Sequence, residues 1–247
     1  MYVAQPNYAQ PDDNDRLWRY MTLASFVALL VEKHLFFSKL ENLEDPFEGG
    51  PPYWVIPILQ SAEERRRPNP AEAQASWSWQ DTMKRCRRRV AVNCWHVNKH
   101  ESEAMWKLYG TLGENVCVTT DLPSLRACFA DTPTTVTGAL VDYDMEQIAI
   151  EWRFPRDDRF LLDWGAVKRP SYRHEREFRL LHLLDEDDPT STSRGVSFAV
   201  DPAKFVKEVI LSPTMPSWQV LTIKNLVDKL GYSLPVTESP LLKSPLS

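Results

Sequence analysis

The sequence predicts an α+β domain, antiparallel sheets with flanking helices, and three observations carry that prediction. Helix and strand patterns do not alternate regularly and no segment repeats, which argues against a doubly wound parallel sheet. Residues 172–184, Tyr172-Arg-His-Glu-Arg-Glu-Phe-Arg-Leu-Leu-His-Leu-Leu184, alternate with the period of a strand. At 247 residues and 43% hydrophobic content the chain can bury a sizeable core, as one large domain.

Taken in order, residues 1–15 are rich in Pro, Gln, Asn and Asp and read as a loose N-terminal segment. A single α+β domain is expected over 16–240, with an irregular Pro- and Arg-rich insertion near 51–70, and a loose tail over 241–247. Leu17–Met21 reads as a strand, and Thr22 caps a helix whose Leu23, Phe26, Val27 and Leu30 recur at helical spacing. Leu35–Ser38 is a second strand, followed by the acidic turn-forming loop 41–50. A helix over 71–88 feeds a strand over Val90–His96. Asn98 and Glu101 have capping-box spacing for a helix that ends at Tyr109, before Gly110. Beyond it come a strand at Val116–Thr119, a helix over Pro123–Phe129 capped by Asp121, and strands through Gly138–Tyr143, Val196–Val200 and Val209–Leu211. An amphipathic helix over Trp218–Leu230 precedes a closing strand at Tyr232–Val236.

Composition excludes several classes. No apolar run approaches a membrane span, and the N-terminus lacks the basic and apolar regions of a signal peptide, so a cytoplasmic protein is expected. The four cysteines, 86, 94, 117 and 128, form no CxxC pair and read as reduced thiols. His34, His96, His100, His174 and His182 show no metal spacing, so no metal site is assigned. GxSxG, GxxxxGK[ST] and GxGxxG are all missing, which removes the corresponding hydrolase, NTPase and dinucleotide folds.

The net charge of −5 argues against a surface that coats nucleic acid throughout. One basic run, Lys84-Arg-Cys-Arg-Arg-Arg89, preceded by Arg65–Arg67 and by Trp77 and Trp79, could contact phosphates through Arg85, Arg87, Arg88 and Arg89. It reads first as a helix end whose cations complement the dipole, with the phosphate patch as the secondary reading.

Strand alternation over 172–184 places Glu175, Glu177 and Arg179 on one face and Phe178, Leu180 and Leu184 on the other. The charged face is either a solvated antiparallel face or the wall of a cleft. Asp45 and Glu48 either orient a cleft residue or cap a turn. Ser102, Trp106 and Tyr109 share one helix face, while Glu103 and Lys107 pair on another. For Met105, Trp106 and Tyr109 core packing is the alternative role, and for Arg19 an ion pair to Asp45 or Glu48.

Six blocks carry a family resemblance: Trp18-Arg-Tyr20, Leu35-Phe-Phe-Ser38, Asp45-Pro-Phe-Glu-Gly49, Cys94-Trp-His96, Glu101-Ser-Glu-Ala-Met-Trp-Lys-Leu-Tyr109 and Glu175-Arg-Glu-Phe-Arg-Leu180. In that order, over residues 16–240, they resemble a widespread bacterial and prophage family that carries only a domain-of-unknown-function label. That family is distantly similar to AbiGi-type abortive-infection proteins and DarT-type DNA-modifying toxins, both of the ADP-ribosyltransferase-like group.

The resemblance implies an ADP-ribosyltransferase-like fold and an enzyme of a phage-defence or toxin system that uses NAD. Such an enzyme stabilises an oxocarbenium-like carbon as nicotinamide leaves and presents a nucleophile. Glu177 is the implied catalytic carboxylate, with Glu175 helping to activate the acceptor. Arg19 would contact the NAD phosphates, Tyr20 would neighbour the adenosine or nicotinamide, and Ser102 and Trp106 would line the cleft. The sequence departs from well-studied transferases in that its middle motif reads as a helix rather than a strand. Two other classes fit the residues: a nuclease or phosphodiesterase holding Mg²⁺ through Asp45, Glu48, Glu175 and Glu177, and a non-enzymatic nucleotide- or partner-binding module.

Overall fold

Leu17–Thr22 forms strand β1, and its pleat feeds two cores. Leu17 and Met21 enter the main core, whereas Trp18 and Tyr20 pack with Met105, Trp106, Cys117 and Ile210. Thr22 closes the strand and caps helix α1 (Leu23–Glu32), its Oγ1 accepting from the Ser25 amide at 3.2 Å, and Phe26, Leu29 and Leu30 are the buried stripe. Lys33, in the left-handed region at φ 54°, turns the chain into β2 (His34–Lys39).

The computed structural model describes residues 1–51, 55–65, 78–109, 113–144, 158–186 and 191–242. The other strands are β3 (Val90–Val97), β4 (Asn115–Thr120), β5 (Thr137–Leu140), β6 (Glu177–Leu183), β7 (Gly195–Ala199), β8 (Glu208–Leu211) and β9 (Val236–Glu238). Helices α2 (Ile56–Arg65), α3 (Trp79–Arg89), α4 (Glu103–Leu108), α5 (Leu122–Cys128), α6 (Leu161–Gly165), α7 (Pro202–Phe205) and α8 (Ser217–Lys229) flank them. The strands form one sheet in the order β5-β6-β3-β1-β4-β8-β9, with β2 joined to β3 and β7, antiparallel except at β8–β9. The predicted class, α+β on a mostly antiparallel sheet, is the observed one.

Strand β3 organises the sheet. One edge pairs with β6 along its length, from Val90↔Leu183 to His96↔Glu177. The other edge pairs with β2 only at Ala91 and Val92, and with β1 only at His96 and Val97. Meanwhile β1 keeps a six-residue register with β4. The sheet therefore splits between β1 and the middle of β3, and side chains bridge the opening. Arg19 Nη1 donates to the Cys94 carbonyl at 2.8 Å and Asn93 Nδ2 to the Phe36 carbonyl at 2.8 Å, while within β3 Trp95 Nε1 donates to Asn93 Oδ1 at 2.7 Å. These bonds satisfy backbone and amide groups that strand pairing leaves open there.

Several elements depart from expectation. Only Glu177–Leu183 of the alternating stretch is a strand, because Pro170–Glu175 winds as a 3-10 turn. Its charged side is not solvated: Glu177 and Arg179 are buried, followed on that side by Leu181, which packs with Val90, Val92, Leu161 and Trp164. The cap of α4 is Ser102 rather than Asn98, with Ser102 Oγ accepting from the Met105 amide at 3.4 Å. Helix α2 occupies part of the expected irregular insertion, and Trp77 and residues 66–70 lie outside the described residues. The closing strand begins at Val236, beyond Pro235. Residues 243–247 of the expected loose tail also lie outside the description.

The N-terminal segment expected to be loose runs along β5. Tyr2 bridges Val136, the Leu140 amide donates to the Ala9 carbonyl at 2.8 Å, and Tyr8 Oη donates to Asp163 Oδ1 at 2.5 Å. Gly138 permits this approach, since a Cβ there would collide with Tyr2 Oη and lie 2.6 Å from Phe178 Cζ. Backbone pairing of this kind leaves no mark on composition.

Candidate active site

The loop Asp45–Gly49 is shaped from within. Asp45 Oδ1 accepts from the Phe47 amide at 3.0 Å, and Gly49 adopts φ +70°, where a side chain would be strained. Arg87 on α3 donates to the Pro46 carbonyl at 3.0 Å and the Glu48 carbonyl at 2.8 Å, tying the loop down while Glu48 enters the interior. On the other side Arg176, at φ +42°, joins the 3-10 turn to β6. A non-glycine residue rarely adopts that conformation, and here it brings Glu175 and Glu177 to one ammonium group.

That ammonium belongs to Lys168. Its Nζ lies 2.8 Å from Glu175 Oε2, 2.7 Å from Glu177 Oε1 and 3.1 Å from Glu48 Oε1. Arg179, fully buried on β6, completes the cluster. Its Nε donates to Glu177 Oε2 at 2.6 Å, its Nη1 and Nη2 to Glu48 at 2.8 and 3.1 Å, and Nη1 also to the Gly165 carbonyl at 2.9 Å. Three carboxylates thus face two cations, so one negative charge is in excess when all three are ionised.

The excess charge falls unevenly. Burial alone would raise the Glu177 carboxyl, but Arg179 and Lys168 outweigh it and hold Glu177 well below the usual range. Glu175 has Tyr109 Oη as donor at 3.1 Å besides Lys168, and burial together with the neighbouring Glu177 pushes it up to about 7. Two carboxyls pushed apart in this way can serve as a base and a proton carrier. Lys168 and Arg179 stay charged despite burial, held so by Glu177 and Glu48.

Arg19 lies at the split. Burial lowers its pKa, and among the described residues no carboxylate stands within ion-pair distance of it. The expected alternative partners are engaged elsewhere, Asp45 by Arg169 at 2.7 Å and Glu48 by Arg179 and Lys168. Tyr20 is buried, and its Oη accepts from the Ser102 amide at 2.9 Å. Its ring meets Trp106 edge-on at 4.9 Å, and Trp106 Nε1 donates to Glu101 Oε2 at 3.0 Å. Tyr20, Ser102 and Trp106 therefore form a wall behind β1. His96 Nδ1 donates to the Glu175 carbonyl at 2.6 Å, while its buried Nε2 has no partner among the described residues.

The structure brings together Glu175 and Glu177, but as members of a packed ion cluster rather than along an open cleft. Sequence reasoning missed Lys168, Arg169 and the partners of Arg179. Lys168 stands seven and nine residues before the two glutamates, across a 3-10 turn that joins to β6, so no single element's period reveals it. The basic run is largely spent internally. Arg85 and Arg89 pair with Asp158, Arg87 holds the acidic loop, and only Arg88 is exposed without a partner among the described residues. A separate polar depression of about 700 Å³, lined by residues 11–16 and Lys99, includes none of the cluster. Among the described residues no helix is long and apolar enough to cross a membrane, and no group of His, Cys, Asp and Glu is arranged to hold a metal ion.

No family model matches the chain, and no curated protein matches it. Among solved structures it is similar to DarT from Thermus sp. 2.9 in complex with ADP-ribosylated ssDNA, at a TM-score of 0.41 and 7% identity over 94% of this chain and 96% of that one. The same protein in complex with NAD⁺ gives a TM-score of 0.41 and 9% identity, over 94% of this chain and 98% of that one.

Proposed function

We propose that this chain is an NAD-dependent ADP-ribosyltransferase-like enzyme. The observation that carries the proposal is a split sheet that holds a guanidinium, Arg19, with no carboxylate partner among the described residues, on the strand next to one that leads to a buried cluster of three carboxylates over two cations. NAD matches both features. Its pyrophosphate needs a fixed cationic donor, and its nicotinamide-bearing carbon becomes positive as the glycosidic C–N bond breaks.

In this reading Glu177, always ionised, stabilises that carbon and accepts from a ribose hydroxyl. Lys168 and Arg179 each use one of its oxygens, so acceptor directions remain. Nicotinamide leaves with the bonding electron pair, the acceptor's nucleophile forms the new bond to carbon, and Glu175 takes the nucleophile's proton. Arg19 binds the pyrophosphate. Tyr20, Ser102 and Trp106 shape the wall rather than touch the reacting atoms. Tyr109, 42% exposed with its hydroxyl on Glu175, is the group whose displacement opens the carboxylates to substrate.

Nucleic acid is the acceptor class proposed, and a bacterial phage-defence or toxin system is the setting implied by the sequence blocks. The metal-dependent alternative would require Mg²⁺ to displace Arg169, Lys168 and Arg179 from Asp45, Glu48, Glu175 and Glu177. Calorimetric titration of NAD into the protein in EDTA buffer tests the reading. Saturable binding is expected, weakened at least about 10-fold in Arg19→Ala by loss of a charged phosphate contact. Absence of binding to the wild-type protein would reject the reading.

A further inference from the structure

We propose that Lys168 is a positioning residue whose ammonium holds the Glu175 and Glu177 carboxylates together on Glu48 and decides which of the pair carries the proton. Its catalytic purpose rests on the transferase reading; its control of the proton does not. Geometry makes the case. One Nζ lies within 3.1 Å of three carboxylates that come from two separated parts of the chain, the acidic loop and the 175–177 segment, and donates to Glu175 and Glu177. Two of the three ammonium hydrogens go to Glu175 and Glu177, and Glu48 stands at ion-pair distance. The Tyr172 ring, 4.6 Å away, adds a favourable face for the cation.

The surrounding groups explain the asymmetry. From β6, Arg179 reaches Glu177 and Glu48 but makes no ion pair to Glu175. Behind Glu177, Tyr143 Oη accepts from its backbone amide at 2.8 Å. On β3, the Cys94 thiol is pushed up by burial, and the His96 imidazole is pushed down by burial and spends Nδ1 on the Glu175 carbonyl, so neither supplies a charge. From the end of α4, Tyr109 offers only a neutral hydroxyl. Among the described residues Glu175 therefore depends on Lys168 for its only paired cation, whereas Glu177 has two. Two adjacent carboxylates cannot both ionise freely, and the proton settles on the one with fewer cations.

Removing the ammonium would leave three carboxylates over Arg179 alone, and the pair would hold its proton more tightly. The test is a titration of the glutamate side chains by carbon-13 NMR in wild type, Lys168→Met and Lys168→Arg, with the Glu175 signal identified by its loss in Glu175→Gln. Wild type is expected to show one carboxyl titrating near 7. Lys168→Met should raise that midpoint by about one unit or more, a roughly 10-fold tighter proton, and Lys168→Arg should return it to within about half a unit. An unmoved midpoint in Lys168→Met, or no restoration by arginine, would overturn the assignment.

Where Lys168→Met does not fold, the double variant Lys168→Met/Glu175→Gln restores the wild-type charge balance, with two carboxylates against one cation. It should fold and show no titration near neutrality. A double variant as unstable as the single one would make Lys168 a packing residue and sink the proposal. Nicotinamide release followed against pH separates the two readings. An acidic limb that moves with the NMR midpoint supports both, whereas expected NMR behaviour without release by wild type retains the Lys168 assignment and rejects the transferase.

Discussion

Replacing Arg179 by methionine removes the buried cation that binds Glu48 and Glu177. The guanidinium is fully buried and donates three bonds to carboxylates and one to the Gly165 carbonyl. Its loss leaves three carboxylates facing Lys168 alone. Breaking a buried pair from one side costs about 3–5 kcal/mol, because the orphaned charge stays desolvated. We expect about 4 kcal/mol at pH 7, read from urea unfolding at 25 °C. Without Arg179, burial is free to raise the Glu177 carboxyl above its unfolded value. A group raised in this way contributes stability below its unfolded pKa and loses it as pH climbs, so the deficit should shrink at pH 5. Exchanging both partners, Arg179→Met with Glu48→Met, should recover at least about half of the loss, since an apolar replacement of a buried pair is often neutral or better. A single-variant cost below about 1 kcal/mol, or a double variant whose losses simply add, would refute the reasoning.

The raised Glu175 carboxyl predicts that its stability contribution is complete below about 4.5 and lost as pH rises through about 7, so wild type should melt lower at pH 7.5 than at pH 5 on this account. Glu175→Gln should flatten that slope by about 1–2 kcal/mol, a figure reduced for partial solvent screening, and an unchanged slope in melting curves would contradict it. Gly138→Ala should cost about 1–3 kcal/mol and raise amide exchange over residues 1–10, because the new methyl group meets Phe178 and displaces Tyr2. Unaltered exchange there would mean the N-terminal segment is not held along β5.

Much of the fold was legible wherever local chemistry and pattern agreed. Thr22 and Asp121 announce α1 and α5 through their capping oxygens, and the apolar spacing of α8 and the β-branched run of β4 speak for themselves. The alternation of Glu177 and Arg179 against Phe178 and Leu180 was also correct for β6. What it could not show was that both faces are buried, because a charged face looks the same in sequence whether water or counter-ions meet it. Asp45 and Glu48 were visible as an acidic loop, yet their partners Arg169, Lys168 and Arg179 are 120 or more residues away, beyond any local period. The same blindness hid the tertiary partners of Arg85, Arg87 and Arg89, which Asp158 and the acidic loop supply. Capping patterns likewise offered Asn98, whereas the chain turns into α4 four residues later at Ser102.

Whether Glu177 acts on NAD decides what the carboxylate cluster is for. The deciding measurement is release of nicotinamide from NAD by the purified protein in EDTA buffer, with single-stranded nucleic acid and protein offered as acceptors, wild type beside Glu177→Gln, each checked by melting to be folded. Release by wild type that falls by at least about 100-fold in the variant is the predicted result. Release that is absent in wild type, or equal in both proteins, would contradict the assignment of the carboxylate cluster as a transferase site.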